Sequence, residues 1–238
     1  MKTKRKINSN LGETLAKWYL RFNGYFIIDN FIVHAGDDVN KIKNGVVANH
    51  TETDILAIRH KFSKEITGIL HIQNDIKIIN TEETNIDFII VEVKTGKKNK
   101  PNTLWTEKKI AVIEYILRIA GFIEAENLIS SIANELAEKG NYQDAGKRYS
   151  VRLALISEVK ANNNWKHIKN VLFDDIINFI VDVRGQCWKE NGLGVSSIHY
   201  QWDDLINEIF KIANDTSLTG DVKKTTILSL LQKNETTL

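Results

Sequence analysis

Apolar positions recur along this chain at two spacings. Leu11, Leu15, Trp18 and Tyr19 follow the helical repeat, behind Asn10-Leu11-Gly12-Glu13, which reads as a capping box, and Asn23-Gly24 ends that helix. Tyr25 to Val33 is a β-prone run, and Thr53 to Arg59 predicts a short strand around Ile55-Leu56-Ala57-Ile58. Gly36-Asp37-Asp38 and Lys43-Asn44-Gly45 read as turn or loop, and Asp75 to Ile79 as a minor strand. Asp87-Phe88-Ile89-Ile90-Val91-Glu92-Val93-Lys94 is almost wholly apolar, as a central strand covered on both faces should be, and Thr95-Gly96 stops it. Helices are predicted over Thr106 to Ile119, with Ile110, Ile113, Ile116 and Leu117 inward, and over Ala125 to Lys139, before Gly140. A strand over Tyr149 to Ser157 places Val151, Leu153 and Leu155 on one face. Asp174 to Val183, Asp203 to Ala213 and Asp221 to Leu231 complete the helices. The mixture predicts an α/β (α+β) fold, with a mixed central β-sheet flanked by helices.

Length then bounds the organisation. The chain has 238 residues and a single proline, Pro101, and shows no repeat or linker-like tract. One domain over 1–238 is expected, with a core in 7–120 and a region, 121–238, that extends or covers the same sheet and supplies specificity or homodimer contacts. Apolar residues make up 42% and charged residues 26%, which excludes disorder as the main state. Lys+Arg number 32 against 30 Asp+Glu, a net charge of +2. A wholly basic nucleic-acid binder is excluded, whereas a local basic patch is not. The one cysteine, Cys187, rules out an internal disulfide framework and argues against a Cys-based zinc site. No apolar run reaches membrane-spanning length, and no apolar stretch follows the basic residues Lys2, Lys4, Arg5 and Lys6 as in a signal peptide, so a cytoplasmic location away from membranes is expected.

Two charges stand inside the apolar strand that ends at Lys94. Glu92 and Lys94 are two residues apart and share a sheet face, with Val91 and Val93 on the other. Buried charges are costly unless paired or bound to something. Glu-x-Lys alone is satisfied by an ion pair where a strand leaves its sheet. Asp54, opening another apolar strand, is either a solvated strand end or a metal ligand set against its neighbour. Glu13 is accounted for by a capping box with Asn10. The informative feature is the joint order: a helix Glu, then an Asp on a strand, then Glu-x-Lys-x-Gly.

In that order Glu13, Asp54 and Glu92-Val93-Lys94 resemble the signature of the PD-(D/E)xK nuclease superfamily, which includes many restriction endonucleases and resolvases. The resemblance covers about the first half of the chain, and Leu11-Gly12-Glu13…Gly24-Tyr25 is similar to the opening of the resolvase-like members. It implies a restriction endonuclease-like core and a Mg2+-dependent endonuclease acting on DNA, with Mn2+ as a substitute ion. Asp54, Glu92, the carbonyl of Val93 and Glu13 would then be the metal side, and Lys94 would orient the attacking water. The chain departs from the pattern in three places. Thr53, not proline, precedes Asp54; the Asp54–Glu92 interval is long, which predicts an inserted hairpin or loop between Lys61 and Asn85; and Asn102 and Trp105 stand where a Gln-bearing helix would follow.

Basic residues lie next to these positions. Lys97, Lys98 and Lys100 follow the strand, Lys108-Lys109 open the next helix, and Arg59 ends the Asp54 strand. They read either as contacts to DNA phosphates or as a solvated loop, and Arg59 equally as the partner of a nearby acid. His50, Glu52 and Asp54 alternate and would share a strand face, but no second His stands at transition-metal spacing. Gly192-Leu193-Gly194 lacks the rest of a dinucleotide fingerprint, and there is no P-loop or nucleophile elbow. The five tryptophans are packing residues or base-stacking platforms. The competing class is a catalytically inactive nucleic-acid-binding or assembly module on the same fold.

Overall fold

A computed structural model describes residues 7–33, 42–43, 46–47, 51–63, 66–67, 70–80, 84–96, 110–162, 165–185 and 203–232. In chain order the elements are α1 (Ser9–Phe22), β1 (Phe26–Val33), β2 (Ile42–Lys43), β3 (Val46–Val47), β4 (Thr51–His60), β5 (Ile66–Thr67), β6 (Leu70–His71) and β7 (Ile86–Lys94). There follow α2 (Ile110–Ala120), α3 (Glu126–Lys139), β8 (Asn141–Gln143), β9 (Tyr149–Ser157), β10 (Lys169–Leu172), α4 (Phe173–Asn178) continuing into a π-helical turn (Phe179–Arg184), α5 (Asp204–Asn214) and α6 (Gly220–Leu231).

The main sheet runs β1-β4-β7-β9-β10, with β8 also on β9. β1, β4 and β7 pair antiparallel, whereas β7, β9 and β10 are parallel. The sheet is therefore mixed, as the pattern predicts. β7 is its centre, hydrogen-bonded on both sides, which is why seven of its nine residues are buried and why its sequence does not alternate. β9 beside it is buried throughout, with Val151, Leu153 and Leu155 on one face. Because β9 lies beyond residue 121 and β7 before it, the later part of the chain completes the same sheet.

Helices cover both faces. On one, Leu11, Leu15 and Tyr19 of α1 pack with Ile89, Val91 and Val93 of β7 and with α4, α5 and α6. On the other, Ile113, Ile116 and Leu117 of α2 and Ile129, Ile132 and Leu136 of α3 pack on Phe88 and Ile90 of β7. The two-residue strands pair antiparallel, β2 with β3 and, between Lys61 and Asn85, β5 with β6.

Two local expectations are corrected. Asp75–Ile79 is not a strand but a turn: the carbonyl of Asp75 accepts from the N–H groups of Ile78 and Ile79, and its Oδ1 accepts from Lys77. Local side-chain hydrogen bonding outcompetes the β propensity of the isoleucines there. The first helix is capped by Asn8, whose Oδ1 accepts from the N–H of Asn10 at 3.0 Å, so it begins before the predicted Asn10.

Gly140 closes α3 at φ +74°, and a Cβ there would stand 2.5 Å from the carbonyl oxygen of His167. Both facts demand glycine. Gly140→Ala is expected to cost about 1–3 kcal/mol in urea unfolding, from left-handed strain plus displacement of the 165–168 turn. A midpoint equal to wild type would show that the turn does not depend on this contact.

Candidate functional site

Three elements, α1, β4 and β7, bring the singled-out charges to one end of the sheet. α1 comes first. A Cβ on Gly12 would meet Cγ2 of Thr95 at 2.8 Å, so the first turns of the helix press directly on the residue after Lys94. Glu13 is the next residue. Because Asn8 supplies the cap, Glu13 is released from the capping role that its spacing from Asn10 suggested. It is half-buried, and its carboxyl titrates above the ordinary value, first because of burial and then because of the charge of Asp54. Lys17 pulls it down, Glu52 pushes it up and Lys94 pulls it down.

Asp54 occupies an interruption in two ladders. The β4–β7 register ends at Ile55↔Val91, and the next hydrogen-bonded pair would set Thr53 against Val93. That bond is replaced: the N–H of Val93 donates to Oδ2 of Asp54 at 2.6 Å. On the other side, the β1–β4 register passes from Asp29↔Ile55 to Phe31↔Thr53, leaving Asn30 opposite Asp54. Asn30 has φ 50°, a left-handed conformation that breaks strand geometry. The strand therefore opens at Asp54, and its side chain inserts where a backbone carbonyl would otherwise sit. Burial raises the Asp54 carboxyl above its ordinary value, the Val93 N–H and Lys94 oppose that rise, and Glu52 adds to it.

Glu92 and Lys94 share one face of β7, and the Lys94 ammonium is ion-paired with Oε1 of Glu92. The Glu92 side chain is buried at 5% exposure, while that of Lys94 reaches solvent at 32%.

Glu158, which the sequence analysis missed, completes the surroundings. Its N–H donates to the carbonyl of Lys94 at 3.0 Å, and its Oε2 accepts from Gly96 at 2.6 Å and from Ile7 at 3.2 Å. Glu158 thus ties together the ends of β7 and β9 and the chain before α1. The available signal was an acid directly after the apolar run Tyr149–Ser157.

Glu13, Asp54, Val93, Glu92 and Lys94 are thereby neighbours. Arg59 is not among them. It lies five residues along β4, about 16 Å at strand rise, and donates to the carbonyls of Asn23 at 3.0 Å and Ser63 at 2.7 Å. Its guanidinium holds loops at the other end of the strand, and among the described residues no acid is ion-paired with it. His50, Lys97, Lys98, Lys100, Asn102, Trp105, Lys108, Lys109 and Cys187 lie outside the described residues.

The donor set, carboxylate oxygens with backbone carbonyls nearby, suits a hard divalent cation such as Mg2+. Burial raises both Glu13 and Asp54, and nearby acids add to it, Asp54 and Glu52 at Glu13 and Glu52 at Asp54, a cost that a bound cation would relieve. Among the described residues no three His, Cys, Asp or Glu side chains already stand grouped as metal ligands. Lys94 is the ion-pair partner of Glu92, and the Val93 N–H donates to Asp54.

The fold and these neighbours define a mixed α/β protein with a charged cluster where two central strands part. No known family, curated protein or solved structure matches the chain. Among the described residues no helix is long and apolar enough to cross a membrane.

Proposed function

We propose that the protein is a Mg2+-dependent nuclease that hydrolyses DNA phosphodiester bonds. One observation carries the reading: the Asp54 carboxylate meets the backbone of β7 between Glu92 and Lys94. Residues 38 positions apart or more along the chain thus converge in the order that the PD-(D/E)xK resemblance requires. Asp54 and Glu92, with Glu13 and the carbonyl of Val93, would hold the cation. When bound, the ion lowers the pKa of a coordinated water and offsets phosphoryl charge. The part played by the chain itself is distinct. Lys94, held by Glu92, positions a water and compensates negative charge at the phosphate. Glu158 fixes the carbonyl of Lys94 and so the direction in which its side chain leaves the strand. Lys97, Lys98 and Lys100 supply backbone-phosphate contacts, the sequence-independent part of DNA affinity.

Incubation with plasmid, single-stranded DNA, branched DNA and RNA in Mg2+ or Mn2+ tests the activity. Cleavage of DNA that stops with EDTA is the expected result. Absence of cleavage on every substrate, together with absence of Mg2+ binding by calorimetry, favours the second reading, an inactive binding or assembly module. The observation behind that reading is that both Asp54 and Glu92 already have partners within the chain.

The raised carboxyls give a test that needs no substrate. A carboxyl whose folded pKa exceeds its unfolded value favours the fold at low pH and loses that contribution as pH rises through the folded value. Above the raised carboxyl range of Glu13 and Asp54 this contribution is gone, and burial of the charged forms works against the fold. Asp54→Asn, whose amide oxygen still accepts from Val93, and Glu13→Gln are therefore expected to raise the Tm of the metal-free protein at pH 7. The gain should shrink as pH falls through the raised carboxyl range. Lower Tm values for both variants at pH 7 would contradict the electrostatic account.

A further inference from the structure

A second charged feature lies on the far edge of β9, away from Asp54. β8 pairs with residues 150–152 of β9 and β10 with residues 154–157, so the two short strands share one edge without meeting. A cleft of about 690 Å3 opens at this notch, with Leu153 and Gly140 among its lining residues. Gly140 matters because its missing side chain lets the 165–168 turn lie against the end of α3.

The lining chemistry is one-sided. Lys160, Lys166 and Lys169 are exposed around the cleft, Arg152 contributes to its wall, and no carboxylate lines it among the described residues. Arg152 is neutralised by Asp87. Lys166 and Lys169 have no ion-pair partner among the described residues, so their charge is available to a ligand. Trp165 and His167 line the same cleft and stack on each other, with centroids 5.9 Å apart and planes at 29°. Nε2 of His167 is buried and, among the described residues, has no hydrogen-bond partner. Buried polar atoms are rarely left so. Ammonium groups, an aromatic platform and an unsatisfied ring nitrogen in a cleft of ligand size are complementary to one kind of molecule, a flat polar ring carrying phosphate.

We propose that this cleft binds a nucleotide unit, with its base against the Trp165–His167 platform and its phosphate beside Lys166 and Lys169. The inference goes beyond the nuclease reading and does not depend on it. The unit belongs either to a free nucleotide or to a nucleic-acid strand, which share this chemistry.

The test is calorimetry on the full chain in EDTA, so that no divalent ion contributes and no strand is cut. The probes are dAMP, deoxyadenosine, inorganic phosphate and a deoxyadenosine hexanucleotide. dAMP is expected to bind more tightly than either of its halves. Lys166→Glu combined with Lys169→Glu changes only exposed side chains, and should weaken dAMP binding about tenfold or more, as loss of charged hydrogen bonds does. Trp165→Leu should weaken dAMP binding and leave phosphate binding unchanged. A hexanucleotide that binds much more tightly than dAMP, with the same loss in the double-lysine variant, identifies a strand as the source; equal affinities identify the free nucleotide. No dAMP binding by the wild-type chain, or binding that the double-lysine variant leaves unchanged, overturns the proposal. Either result leaves the nuclease reading standing, and failure of Mg2+-dependent cleavage leaves the cleft standing.

Discussion

Replacing Asp54 or Lys94 by alanine is expected to leave a folded protein whose Mg2+-dependent DNA cleavage falls by about 10²–10³-fold or more, the scale set by removing a single charge-stabilising group from a catalytic centre. The two variants should fail differently. Asp54→Ala removes a carboxylate and the acceptor of the Val93 N–H, so Mg2+ binding by calorimetry should weaken along with the rate. Lys94→Ala removes a cation that competes for Glu92, so Mg2+ should bind at least as well as in wild type while turnover is lost. That opposite response separates a water-positioning lysine from a merely structural one. Mg2+ should also raise the Tm of the wild-type protein by mass action, and of Asp54→Ala much less. Near-wild-type cleavage by either variant would remove the mechanism.

The largest effect on stability is expected at the other end of β7. Asp87 is buried, and its two carboxylate oxygens accept from Nε and Nη2 of Arg152 at 2.9 and 2.5 Å, from Ser150 at 3.0 Å and from the Tyr25 hydroxyl at 2.5 Å. Arg152 also donates to the carbonyl of Ile78 at 2.8 Å, anchoring the turn that replaces the expected Asp75–Ile79 strand. Burial, followed by the charge of Asp87, holds the Tyr25 hydroxyl protonated far above its usual range, so it remains a donor. Asp87→Ala strands a buried guanidinium, and Arg152→Ala strands a buried carboxylate. Each should cost about 3–5 kcal/mol in denaturant unfolding, a large part of the roughly 5–15 kcal/mol of a typical domain. The double variant Asp87→Leu/Arg152→Met should cost less than the sum of the single losses, because no unpaired charge remains. Additive losses would mean that the pair does not act as a unit.

Much of the fold can be read from hydrophobic spacing because the elements that carry it are long and periodic. β7 and β9 declare themselves by unbroken apolar runs that only a sheet covered on both faces needs. The ends of α1 and α3 are marked by Asn23-Gly24 and Gly140, where a positive φ or a tight approach admits little else. Short elements such as β8 and β10 carry no such pattern. They exist because β9 offers them an edge, so their formation depends on a partner far away in the chain.

The same division runs through the candidate site. The residue types and their order, Glu13, Asp54 and Glu92-Val93-Lys94, belong to the sequence alone. So does the shared face of Glu92 and Lys94, because side chains alternate along a strand whatever its neighbours. What Asp54 meets was a tertiary decision, since it depends on where the β4–β7 and β1–β4 ladders stop. So was the freeing of Glu13, which turned on Asn8 taking the cap. The isolation of Arg59, the bridging by Glu158 and the cleft beside Trp165 have the same origin. Each is a contact between segments brought together only by folding, and local spacing carries no information about the distance between such segments.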